Sequence, residues 1–129
     1  KLNKKKIIDV WGDGEQTRSF LFIDDCLKGT FDLFQSDHYE PLNIGSEEQV
    51  SINQMISIIE EIASYKVEKN YQLDKPLGVR GRSSNNELVN KKLNWKPLLN
   101  LKQGLELTYS WIYDQMTSGS NIDKFIRKY

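Results

Sequence analysis

Apolar and polar positions alternate along the chain, switching between the strand period and the helix period several times. Ile7-Ile8-Asp9-Val10-Trp11 is rich in β-branched and aromatic residues and predicts a strand. Gly12-Asp13-Gly14 predicts a turn. Thr17 to Ile23 is nearly all apolar after Ser19 and predicts a second strand, buried on both faces. Asp24-Asp25 suits an N-cap and first helical turn, and Leu27, Phe31 and Phe34 continue at helical spacing to about Gln35. A loop from Asp37 to Pro41 leads to a short strand, Leu42-Asn43-Ile44, which Gly45-Ser46 stops.

Ser51-Ile52-Asn53-Gln54 matches a capping box, and Met55, Ile58, Ile59 and Ile62 share one face of the helix behind it. Val67 to Leu73 predicts a strand, and Lys75 to Arg82 a loop, since it holds Pro76, Gly78 and Gly81. Ser84-Asn85-Asn86-Glu87 matches a second capping box, opening a short helix to Leu93. Asn100 caps a last helix to about Met116, with Leu101, Leu105, Thr108 and Ile112 one turn apart. The expected class is α/β or α+β, a small mixed domain of short strands and about four helices over residues 7–117. A frayed, Lys-rich linker (1–6) precedes it and a polar tail (118–129) follows.

Composition narrows the partners. The chain has 129 residues, and its 18 basic residues balance 18 acidic ones, so a general nucleic-acid binder is disfavoured. No apolar run reaches the roughly 20 residues of a membrane helix. The single Cys26 excludes an internal disulfide and fits a reducing, cytoplasmic setting. His38 lies in a polar loop and reads as a surface histidine, while Cys26 reads as core. One His and one Cys, far apart, argue against a metal site. The chain opens on Lys1 rather than Met and is read as a piece of something longer.

Fourteen of the 18 basic residues are Lys; the four Arg are Arg18, Arg80, Arg82 and Arg127. Arg18 opens the second strand, and Arg80-Gly81-Arg82 precedes a capped helix. Guanidinium groups brought together from two segments suit a diphosphate; solvated strand and loop charges are the other reading. Asp24-Asp25 reads as a helix start rather than a catalytic pair. Gly12-Asp13-Gly14 lacks the third glycine of a dinucleotide fingerprint and leads into a strand. Tyr71 to Lys75 has Tyr-x-x-x-Lys spacing but lies on a strand running into Pro76.

The strings VWGDGEQTRSFLFIDD (Val10 to Asp25), PLNIGSEEQVSINQM (Pro41 to Met55), GVRGRSSNNELV (Gly78 to Val89) and LNWKP (Leu93 to Pro97) resemble a known family. They are similar to the C-terminal, substrate-binding part of the NAD-dependent epimerase/dehydratases of the extended short-chain dehydrogenase/reductase superfamily. The RSF and VRGR details most resemble its GDP-mannose 3,5-epimerase branch. The resemblance implies a nucleotide-sugar epimerase, an isomerase, that oxidises a GDP-sugar at C4 with NAD, epimerises C3 and C5 and reduces the ketone again. It implies substrate binding by Gln16, Thr17, Arg18 and Arg82, with Arg18 and Arg82 at the diphosphate. Phe20 is implied near the base and Asn85 near the ribose. The family commonly reads Arg-Gly-Arg-Asn-Ser-Asp-Asn; here Ser83 replaces the first Asn and Asn85 the Asp. The Gly-rich NAD loop, the Rossmann sheet and the proton-transfer residues lie upstream in the family. This chain alone is therefore expected to bind no NAD and to be inactive, with catalytic residues supplied elsewhere and a homodimer formed by the whole enzyme. Phe31, Phe34 and Ile44 are expected to lose cover without that sheet. The alternatives are a piece of another nucleotide-sugar epimerase, dehydratase or reductase, or a non-catalytic ligand-binding or interaction module.

Overall fold

The computed structural model describes residues 6–118. Five short strands and four helices follow in the order β1 (Ile7–Trp11), β2 (Thr17–Ser19), α1 (Ile23–Gln35), β3 (Gln49–Ser51), α2 (Ile52–Ala63), β4 (Glu68–Gln72), β5 (Gly81–Arg82), α3 (Glu87–Leu93) and α4 (Leu101–Thr117). The class is the small mixed α/β fold expected. The expected linker and tail fall outside the described residues except for Lys6 and Ser118. Lys6 is tied down: its carbonyl accepts the Glu68 N–H.

The strands form two small sheets. β1 and β4 pair in parallel, Ile7 against Glu68 through Trp11 against Gln72. In the second sheet β2 lies between an antiparallel β3 and a parallel β5. The turn between β1 and β2 carries Gly12 and Gly14 at φ 78° and 74°, the left-handed region that glycine enters without steric cost. The Gly14 carbonyl accepts the Asn53 N–H, which fastens this turn to the start of α2.

The capping box expected at Ser51 is formed, and the expected cap Asn100 also forms a full box, each hydroxyl or amide oxygen accepting the N–H three residues on. The second expected box, at Ser84, is not formed. The cap of α3 is Asn86, and the Ser84 hydroxyl donates to the Asn86 side chain instead. The second strand is also shorter than the apolar run. Pairing ends at Ser19, and Phe22 caps α1, so Phe20 to Ile23 leave the sheet and line a groove against α4. Leu42–Ile44 pairs with nothing and is no strand, whereas the end of the expected 75–82 loop forms β5.

The core is small: Val10, Ile56, Ala63, Val89, Trp95 and Leu101 are its buried apolar residues. On α2 the deepest stripe is Ile56, Glu60 and Ala63, one position off the expected face. Glu60 tolerates that position because the Val67 N–H and the Lys66 ammonium both donate to it, at 2.8 and 3.0 Å. On α4 only the first turns are covered: Leu101 and Gly104 are buried, Thr108 and Ile112 exposed. Cys26 is half-buried rather than core. His38 is half-buried rather than fully exposed, and its Nε2 is shielded without a hydrogen-bond partner.

The expectation of uncovered apolar surface holds for α1, where Phe31 and Phe34 are 53% and 83% exposed. Ile44 differs: it is half-buried, close against Gly29 of α1. A second exposed apolar groove, about 620 Å³, runs between Phe20–Ile23 and the α4 face of Leu101, Leu105 and Trp111. No helix of the described residues is long and apolar enough to cross a membrane.

Candidate functional site

β2 and β5 bring the two arginines together. Their parallel register sets Arg18 directly beside Arg82. Both line a cleft of about 420 Å³ together with Ser19, Asn43, Ile44, Ser83 and Ser84. Arg18 is half-buried and held by backbone carbonyls: its guanidinium donates to the Thr17 carbonyl at 2.6 Å and to the Leu77 carbonyl at 3.2 Å. A guanidinium has five N–H donors, so two such bonds leave donors for a ligand. Arg82 is exposed on the short β5 strand.

Among the described residues neither Arg18 nor Arg82 has a carboxylate partner, while Arg80 approaches Asp13 at 4.0 Å. Two like charges in neighbouring cross-strand positions repel one another. A bridging anion converts that repulsion into two charge-assisted contacts, and a diphosphate has the charge and the oxygens to make both. The cleft offers hydroxyl and amide groups beside the cations, from Ser19, Ser83 and Asn43.

The other expected site residues lie elsewhere. Gln16 is buried beneath the strand; its amide N–H donates to the Trp11 carbonyl at 2.9 Å, and its amide oxygen is shielded with no partner. Thr17 lines a separate, mixed cleft with Glu15, Val50, Asn53, Gln54 and Ile58. Phe20 lines the apolar groove against α4. The Asn85 side-chain oxygen accepts the Glu87 N–H, forming a local turn, and the residue does not line the arginine cleft. Asp24 and Asp25 are both in the first turn of α1, with Phe22 rather than either of them at the N-cap, and Asp25 also accepts the N–H groups of Leu98 and Leu99, both at 3.1 Å.

Sequence reasoning missed Asn43, Ser83 and Ser84 as cleft residues. Asn43 lies in the Asn-Ile-Gly-Ser string, whose spacing assigns it no role. No spacing rule could have placed its loop opposite β5, because that depends on contacts between distant segments.

The fit to NAD is poor within these residues. Gly12 and Gly14 lead into a strand, so no Gly-rich turn opens onto a helix N-terminus there. Tyr71 lies on β4 and Lys75 in the turn after it, not one turn apart on a helix. Among the described residues no three His, Cys, Asp or Glu side chains converge as metal ligands do.

Comparison with known proteins gives this geometry its context. Residues 1–108 match the model of the family described as GDP-mannose 4,6 dehydratase. GDP-mannose 3,5-epimerase of Arabidopsis thaliana is 47% identical over 108 residues, which cover 84% of this chain and 28% of that protein. The UDP-glucuronic acid 4-epimerase of Bacillus cereus, solved with UDP-glucuronic acid and NAD, superposes with a TM-score of 0.79 at 32% identity. That superposition covers 88% of this chain and 37% of the other. The UDP-glucose 4-epimerase of Thermotoga maritima, solved with UDP-glucose, gives a TM-score of 0.80 at 27% identity, over 84% of this chain and 35% of the other.

The fold is therefore that of part of an extended short-chain dehydrogenase/reductase, in the group of nucleotide-sugar epimerases and dehydratases. The chain belongs to the GDP-mannose 4,6 dehydratase family and is homologous to GDP-mannose 3,5-epimerase. It spans 28% of the length of that curated relative.

Proposed function

We propose that this chain is the nucleotide-sugar-binding part of an epimerase of the GDP-mannose 3,5-epimerase type, with Arg18 and Arg82 gripping the diphosphate. The observation that carries the reading is the pairing of those two arginines, neither neutralised by a carboxylate, on adjacent strands of one cleft. Arg18 is the fixed member, anchored by two carbonyls. Arg82, more exposed, is the member that closes onto the ligand. Ser83 and Asn43 supply neutral hydrogen bonds beside the charge, so the grip is directional as well as electrostatic. What these residues do is bind and orient.

The reaction proposed for the whole enzyme is epimerisation of a GDP-sugar, with NAD held by residues other than those described here and with the working form a homodimer. The domain is taken as 7–117. The apolar faces of α1 and α4 are the surfaces that further parts of such an enzyme would cover.

Titrating GDP-mannose into the intact protein by calorimetry tests the reading. Arg82→Ala removes a charge-assisted contact of about 1.5–3 kcal/mol, so binding should weaken about tenfold or more. The melting temperature should stay level or rise slightly, because the substitution also relieves like-charge repulsion. Unchanged affinity overturns the assignment.

A further inference from the structure

The two walls of the cleft are tied together by a side chain that does not line it. Asn86 is 7% exposed and makes three hydrogen bonds, two of them across to the opposite wall. Its amide donates to the Gly45 carbonyl at 2.8 Å, its backbone N–H donates to a Glu47 carboxylate oxygen at 2.9 Å, and its side-chain oxygen accepts the Ser84 hydroxyl at 2.7 Å. A fourth bond runs alongside, from the Ser84 N–H to the Ser46 carbonyl at 3.2 Å. One wall is the Asn43–Ile44 segment, continuing into Gly45–Glu47. The other is Arg82–Ser84, continuing into Asn86. The walls also touch directly: a Cβ on Gly45 would lie 2.6 Å from the Ser84 Cβ.

β5 is only two residues long, so its own pairing with β2 constrains Arg82 weakly. Further restraint comes from the Ser84–Asn86 connections. We infer that Asn86 is a positioning residue for anion binding: its clasp on the Gly45–Glu47 turn sets where Arg82 stands relative to Arg18, and so sets the span of the diphosphate grip. This rests on the proposed function above. Asn86 touches no ligand in this scheme; it acts through Arg82.

That last point makes the test. GDP affinity is measured by calorimetry on the intact protein for wild type, Asn86→Ala, Arg82→Ala and the double variant, each well below its own melting temperature. Asn86→Ala is expected to weaken GDP binding about five- to tenfold, less than or equal to the loss from Arg82→Ala. In the Arg82→Ala background the same substitution should cost almost nothing more. Additive losses would assign Asn86 to general structure and overturn the inference, as would an Asn86→Ala protein with wild-type affinity. Wild-type affinity in Arg82→Ala would instead overturn the diphosphate assignment on which this rests. If Asn86→Ala does not accumulate as folded protein, Gly45→Ala replaces it. Its Cβ pushes the same two walls apart while leaving Asn86 intact, and the same pair of outcomes decides.

Discussion

Gly29 lies inside α1, where glycine costs about 0.8–1.0 kcal/mol relative to alanine. On helix propensity alone, Gly29→Ala should stabilise the protein by that amount. The structure gives the opposite sign. A Cβ at this position would lie 2.8 Å from two atoms of the Trp95 indole and 2.9 Å from the Ile44 Cγ2. Trp95 is 4% exposed, so its ring has little room to retreat, and the Ile44 Cγ2 crowds the same point. Overpacking of this kind costs about 1–3 kcal/mol, and two confining walls put it in the upper half of that range. After subtracting the propensity gain, the net loss is about 1–2 kcal/mol. For a domain of this size that is a fall of roughly 4–8 °C in melting temperature, read by circular dichroism. In an Ile44→Ala background one wall is gone and the cost of Gly29→Ala should shrink. A Gly29→Ala protein that melts at or above wild type refutes the reasoning, since it would mean that Trp95 and Ile44 yield freely.

Asp25→Ala strands the Leu98 and Leu99 N–H groups that its carboxylate accepts, and should cost about 1–3 kcal/mol in urea unfolding, with Asp25→Asn intermediate because it keeps an oxygen acceptor. A midpoint equal to wild type for Asp25→Ala would show that water replaces the carboxylate at no cost. Glu60 is held below the ordinary carboxylate pKa, first by the Val67 N–H and then by Lys66. A group whose folded-state pKa is lowered stabilises the fold above its unfolded pKa and loses that contribution as pH falls through the folded value. Stability measured from neutral pH downward should therefore fall in the acid range, and Glu60→Gln should flatten part of that fall. An identical acid profile in the variant would remove Glu60 from the account.

Features governed by neighbours in sequence were legible before the fold was known. The caps at Ser51 and Asn100 need only a side chain and a backbone N–H three residues apart, and both form. The start of α1 departs from that logic: Phe22 stands at the N-cap with no side-chain hydrogen bond, and Asp24 and Asp25 follow in the first turn. The Ser84 box has the right letters, but Ser84 and Asn86 are drawn into long-range bonds with Gly45, Ser46 and Glu47, and those outcompete the local cap. Long-range requirements also explain the two hidden strand facts. β5 exists because β2 offers it a partner, and the Phe20–Ile23 run leaves the sheet because no partner continues past Ser19.

The helix stripes show a different limit. Spacing on α1 and α4 identifies the apolar faces correctly, yet Phe31, Phe34 and Trp111 stand more than half exposed. Periodicity reports that a face is apolar; it carries no information on what lies against it. The arginines escape this limit because charge, unlike burial, needs no partner to be recognised. With only four Arg in the chain, three of them in two short Gly-containing segments already pointed to an anion site. The shared register of Arg18 and Arg82 on β2 and β5 then supplied the one thing missing, which is proximity. Asn86 is the counterpart. Nothing in its chemistry distinguishes it from Asn85, and only its bonds to a distant turn separate the positioning residue from its neighbour.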